Sequence, residues 1–385
     1  MATRRFVLKS GLAAACSVAA HPLMSTVTFA AAPGDHRLVV IILRGAMDGL
    51  DVLQPYGDPA LAALRPSLSP GPDGGALDLD GFFALHASLG DLMPLWAAGE
   101  LAFVPAVSTP YRDKRSHFDG QDLLEAGTGE DVPLAMQRSG WLNRALQGMP
   151  GARAETAYAI GTGDMLLLSG PAPAMSWSPD ARLRLSPQAE RLLGDIYHDD
   201  PLFRNAAGSA IEIVSGGGSD ARGPTAVADF AASRLNGEAR IAAFSLTGWD
   251  THARQAQVLR PALSRLSASI LALRSGLGPN WSKTTVLAMT EFGRTARENG
   301  SGGTDHGTGG ALLMAGGAIR GGRVIGNWPG LGEGQLYADR DLMPVRDVRA
   351  YAAWALAGLF GQDRGRLEAE VFPGLDMGAD PGMLS

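Results

Sequence analysis

Carboxylates and imidazoles recur along this chain in short polar clusters, and that pairing of residue types suits a divalent transition metal, zinc or manganese above all, bound without thiolates. Asp48 stands in the first cluster, residues 44–49. Arg115, Ser116, His117 and Asp119 make the second, and Trp249, Asp250, Thr251 and His252 the third. Glu291 with Arg294 and Thr295, then Thr304, Asp305 and His306, complete the set. Of the seven histidines in the chain, His117, His252 and His306 are the ones that fall in these clusters. His21 lies near the N-terminus, His36 at the wrong end of a strand, and His86 has no acidic neighbour; His198, beside Asp199 and Asp200, follows no strand and reads as solvated surface. Singly each pair is a weak signal, because an Asp at a strand end often caps the next helix, and Asp305 ahead of a Gly-rich turn could simply hold that turn. Recurrence at consecutive strand ends is what favours a metal.

The elements that must position these residues are legible as alternating runs. Near-continuous β-branched and leucine stretches at residues 36–43, 100–107, 157–160, 240–246, 284–289 and 311–314 read as buried strands. Helical patterns cover 89–98, 118–126, 134–146, 225–235, 253–275 and 346–360. The alternation predicts an α/β fold with a mostly parallel central sheet and helices on both faces. Ligands in such sheets gather beyond the carboxyl ends of the strands, where the clusters fall. Residues 36–385 read as a single domain, with an irregular cap or excursion around 160–223 and a Gly/Ser/Pro loop at 215–223.

The N-terminus runs Thr3-Arg4-Arg5-Phe6-Val7-Leu8-Lys9, then a mild apolar stretch from Gly11 to Ala20 and small residues around Ala30. That order predicts a cleaved twin-arginine export signal over residues 1–30, and hence a periplasmic or secreted protein. The apolar stretch is shorter than the roughly 20 residues of a spanning helix, and no later segment is long and apolar enough. The only cysteine, Cys16, lies inside the signal, which leaves the mature part no thiolate or disulfide; Ala13-Ala14-Ala15 lacks the large apolar residue that lipidation at Cys16 would want. Without the signal's three basic residues the formal charge falls from −6 to −9, which argues against a nucleic-acid partner. The oligomeric state leaves no mark in the sequence.

Taken together in order, residues 43–50, 115–119, 248–252, 291–295 and 303–307 resemble the signature blocks of the DUF1501 family, grouped with the alkaline phosphatase, sulfatase and phosphoglycerate mutase superfamily. The resemblance spans residues 38 to about 328. It implies an alkaline phosphatase-like fold and a divalent metal held at strand ends. On that footing Asp48 matches the first metal aspartate, Ser116 takes the nucleophile's place at a helix N-terminus, and Asp250 and His252 stand for the next ligands, more closely spaced than in the relatives. For the last ligands two alignments stay open. Either Asp305-His306 is the Asp-His-Gly block, or Glu291 replaces the aspartate, His306 is the final histidine and Asp305 orients them; the second is preferred. No histidine follows His306, so a two-metal set is incomplete. His117 is read as a ligand or general base, and Arg44, Arg115 and Arg294 as contacts to ester oxygens.

Two functional classes follow. The favoured one is an exported metal-dependent hydrolase of a phosphate or sulfate ester, its substrate a small anionic ester or an exported glycan or lipid. The other is a noncatalytic member that keeps the fold and binds a ligand or partner, to which the altered ligand spacing points. Whether the chain is an enzyme therefore stays open at this level. A redox enzyme finds no cofactor fingerprint, and no Gly-x-Ser-x-Gly elbow is present.

Overall fold

The computed structural model describes residues 34–68, 70–129, 138–161, 165–177 and 225–385. The signal at 1–30, His198, the loop at 215–223 and most of the expected excursion lie outside the described residues, as do residues 134–137 of the helix expected over 134–146.

Six consecutive residues of β1 (Arg37–Arg44), Leu38 to Leu43, alternate between two apolar cores. Leu38, Val40 and Ile42 join a cluster with helices α2 (His117–Ala126), α3 (Trp141–Gln147) and α6 (Val348–Phe360). Val39, Ile41 and Leu43 face the opposite cluster with α4 (Ala226–Leu235) and α5 (Gln255–Leu277). A strand covered on both faces is what a near-continuous apolar run demands, and the expected α/β class is the observed one.

The main sheet adds to β1 the strands β5 (Leu101–Ser108), β6 (Ala157–Ile160), β7 (Met175–Trp177), β8 (Ile241–Thr247), β9 (Thr284–Met289), β10 (Gly310–Ala315), β11 (Arg323–Val324) and β12 (Arg346–Asp347). Its order is β11-β5-β10-β9-β1-β8-β6-β7, with β12 also on β5. β1 is parallel to both β8 and β9, and β6 is parallel to β8 and β7. β10 departs from the pattern: it runs antiparallel to β9 and to β5. The reversal has a consequence for the site, since the start of β10 lies at the same sheet edge as the end of β9. A small second sheet of β2 (Leu53–Gln54), β3 (Leu77–Asp78) and β4 (Ala84–Leu85) flanks the short helix α1 (Gly49–Val52). Among the described residues no helix is long and apolar enough to cross a membrane.

Candidate metal centre

The loops that leave β1, β8 and β9 and the loop that enters β10 meet at one sheet edge, joined there by the start of α2. Gly45, directly after β1, has φ 120°, and a Cβ on it would lie 2.7 Å from the backbone nitrogen of Asp250. Only glycine lets the turn pass that close beneath the Asp250 loop. Gly307 serves the neighbouring contact: a Cβ there would sit 2.3 Å from the carbonyl carbon of Arg294.

Glu291 is fully buried in this edge. Its Oε1 accepts the N–H groups of Gly45 at 2.9 Å and Ala46 at 3.0 Å and the Gln121 amide at 3.1 Å, while Oε2 accepts the Thr290 hydroxyl at 2.9 Å. Burial alone would raise its pKa; the hydrogen bonds from His117, Gln121 and the backbone outweigh that and hold it below the ordinary carboxylate range. An ionised carboxylate only accepts, so His117 Nδ1, 2.8 Å from Oε1, carries the proton. Phe292 fixes the same ring from its face, stacked at 5.2 Å and 16°.

The other two imidazoles are held in the same sense. His306 Nδ1 lies 2.8 Å from the carbonyl of Arg115, which can only accept. His252 Nδ1 lies 3.3 Å from Asp305, itself held by the Asn299 amide at 3.0 Å. The Asn299 hydrogen bond first, and then His252, keep the Asp305 carboxyl below its ordinary pKa. Each ring therefore turns its Nε2 lone pair to the same place. His252 Nε2 and His306 Nε2 are 2.9 Å apart, and Asp250 Oδ1 is 3.1 Å from the first and 3.4 Å from the second. Asp250 Oδ2 is 3.4 Å from His117 Nε2. Ligand atoms of His117, Asp250 and His306 all lie within 4.8 Å of one another.

Arg294 relieves part of the repulsion among these lone pairs, Nη2 donating to Asp250 and Nη1 lying 3.5 Å from His252 Nε2; a proton or a metal ion between the donors would relieve the rest. The His117 Nε2 atom is buried and, among the described residues, has no hydrogen-bond partner. Burial, the largest influence, lowers the pKa of His306, which favours its neutral, ligating form, whereas the Glu291 hydrogen bond raises that of His117. Ligand atoms about 2.0–2.1 Å from one ion would be separated by about 3.3–3.4 Å; the Asp250 oxygens stand 3.4 Å from His117 Nε2 and from His306 Nε2, and His252 adjoins this group without belonging to the set that lies within 4.8 Å throughout. The residues present fit a zinc-like ion with imidazole and carboxylate ligands, each imidazole backed by an oxygen acceptor on its other nitrogen.

Arg294 locks the arrangement from beneath. Its guanidinium is 1 % exposed and donates to the carbonyls of Ala46, Gly45, Thr304 and Trp249 at 2.9–3.2 Å, and to Asp250. Burial would raise the Asp250 pKa, but this hydrogen bond and charge carry it below the ordinary value. Arg294 is thus spent on positioning rather than presented to an ester.

The sequence-predicted residues divide accordingly. His117, Asp250, His252 and His306 come together with lone pairs facing one another. Glu291 and Asp305 touch them from outside, each on an Nδ1. Asp48 does not join them: it caps α1 and forms a buried two-point ion pair with Arg65 at 2.6 and 3.0 Å, supported by Gln255 at 2.6 Å. Ser116, given the nucleophile's place by the family resemblance, caps α2, its hydroxyl accepting the Asp119 N–H at 3.4 Å. Arg44 bonds Gln121 at 2.7 Å and pairs with Glu125, and Trp249 is core. Sequence reasoning missed Arg65, Gln121, Gln255 and Asn299. Gln255 opens a helix three residues after His252, a spacing that could have drawn notice; Arg65 sits in an irregular stretch with no such cue.

The family model for the protein of unknown function DUF1501 matches residues 102–359, two thirds of the sequence. The chain belongs to the DUF1501 family. No curated protein sequence matches this DUF1501 chain. Among solved structures it is similar to the lipoteichoic acid synthase LtaP from Listeria monocytogenes (TM-score 0.44, 8% identity, 94% of this chain and 79% of that one). It is also similar to a sulfatase from Pseudoalteromonas sp. (0.41, 13%, 91% and 73%) and to TAB5 alkaline phosphatase with magnesium bound (0.34, 12%, 74% and 92%). Likeness at these TM-scores is too distant to assign chemistry, which must come from the chain's own residues.

Proposed function

We propose that this DUF1501 protein is an exported metal-dependent hydrolase that cleaves a phosphate or sulfate ester at a centre built on His117, Asp250, His252 and His306. The observation that carries the reading is the convergence of three Nε2 atoms on one carboxylate while every Nδ1 is engaged by an oxygen. A bound ion would supply a Lewis acid for the ester oxygen and assist ionisation of a nucleophile. Glu291 keeps the His117 ring in one tautomer and orientation. Asp305 does the same for His252, and Arg294 holds Asp250 against the β1 turn. The N-terminus of α2, with the exposed Arg115 two residues before it, would favour an anionic ester. Export through the twin-arginine signal, in keeping with a metal site made of distant chain segments, rests on the sequence alone.

A noncatalytic, metal-binding reading is favoured by one observation, the Ser116 hydroxyl engaged as a helix cap. A single set of measurements separates the two. Purified protein should carry about one equivalent of a divalent ion; His306→Ala should lose it and Asp48→Asn should keep it. Zinc- and manganese-loaded protein should then hydrolyse p-nitrophenyl phosphate or p-nitrophenyl sulfate. Wild type without metal after reconstitution would refute the centre, and metal without ester cleavage across a broad phosphate and sulfate panel would leave the noncatalytic reading.

A further inference from the structure

Away from the metal centre, a cavity of about 330 Å³ opens between the small sheet and the first turns of α5. Asp51, Gln54, His86, Ser88 and Arg260 supply its polar lining. Its floor holds a buried carboxylate that, among the described residues, no cation contacts directly. Asp51 is 5 % exposed, and among the described residues its side-chain oxygens accept amide protons alone, from Gln54 at 3.1 Å and Gln255 at 2.8 Å. The nearby Arg65 guanidinium is already taken in two-point contact by Asp48. Burial, and then the Asp48 charge, push the Asp51 carboxyl above its ordinary pKa, the mark of a group short of a partner.

The rim has the opposite character. Arg260 is exposed on α5, and no carboxylate pairs with it among the described residues. His86 accepts the Ser88 N–H on Nδ1 at 3.0 Å, so the neutral ring carries its proton on Nε2 as a donor. Burial lowers its pKa and keeps the ring neutral. The cavity thus joins an unpaired anion below to an unpaired cation and a neutral donor at the entrance, and its volume is at the small end of the range for ligand pockets.

We propose that this cavity is a second binding site, for a small zwitterion whose primary amine meets Asp51 and whose carboxylate or phosphate meets Arg260. The amine would replace the missing cation inside the protein, and the acid group would meet the guanidinium at the edge, where solvent screens it least on the cavity side. No chemical step is involved. The site does not depend on the hydrolase reading, because none of the four converging residues of the metal centre lines it.

The charge separation that fits can be scanned with ω-amino acids from glycine to 6-aminohexanoate, using calorimetry on the full mature chain, with the matching alkylamines and alkyl carboxylates as half-probes. At least one zwitterion is expected to bind tenfold or more tighter than either of its halves. Asp51→Asn, which keeps the amide contacts, and the surface change Arg260→Ala should each weaken it at least tenfold, while His306→Ala leaves it unchanged. The proposal fails if no zwitterion outbinds its halves, if both cavity variants bind as wild type, or if His306→Ala abolishes binding and so moves the probe to the metal centre. Arg260→Ala keeps the test decisive should Asp51→Asn not fold.

Discussion

Glu291 decides which nitrogen His117 offers. With five contacts converging on a fully buried carboxylate, replacement by Gln removes the charge and makes the group a donor on one side. Glu291→Gln should weaken metal affinity by roughly 10–100-fold with little loss of fold, measured by competition with a chelator of known affinity. The acid side follows from the same residue. Glu291, Asp250 and Asp305 all have folded-state pKa values below the ordinary 4.5 or 3.8. Groups depressed in this way contribute stability above their unfolded pKa and lose it as pH falls through the folded one. The urea midpoint of metal-free protein should therefore be held down to about pH 4.5 and drop below it, and Glu291→Gln should flatten the start of that drop. The four converging side chains could be named from the sequence because carboxylate and imidazole recur at strand ends. Which of them would lend a lone pair and which would stand behind could not, since a tautomer is set by a partner far away in the chain. Asp48 shows the limit most clearly: it has the right type and place, yet Arg65 claims it.

At the scale of elements, the strand runs were legible almost to the residue, because burial on both faces requires uninterrupted apolar sequence. Strand direction was not, for β10 is as apolar as β5 and β9, the strands it runs against, and nothing in its composition encodes polarity. Its reversal explains how residues that precede a strand, Asp305 and His306, reach the edge where other strands end. The β1 turn is the element on which the site's closeness depends. Gly45→Ala should lower stability by about 1–3 kcal/mol and reduce bound metal, whereas Gly75→Ala, also at positive φ but with nothing within 4 Å, should cost stability and leave the metal content intact. Denaturant titration with metal analysis of both variants distinguishes general backbone strain from local displacement of Asp250.

For the whole molecule, the Asp48–Arg65 pair is an anchor beneath both polar regions. Arg65 also donates to the carbonyls of Ala296 and Thr295, and Asp48 shares Gln255 with Asp51, so one buried network underlies the metal loops and the second cavity. Removing one partner strands the other charge in the interior. Asp48→Ala should cost about 3–5 kcal/mol of folding free energy, seen as a lower thermal midpoint, far beyond the loss expected from an exposed pair such as Lys283 with Asp35.

The carbonyl of Arg115 and the Nδ1 of His306, 2.8 Å apart in space, are 191 positions apart in the chain. An unfolded polypeptide cannot reproduce that meeting except at the entropic cost of closing a very long loop. The affinity of an ion bound at the proposed centre would therefore be available only to the native state, and mass action would make it a thermodynamic clamp: free metal at a hundred times its Kd would add about 2.7 kcal/mol to unfolding. The melting temperature of this protein should behave as a meter of the divalent ion around it, rising with each decade of free metal and falling back when a chelator is added.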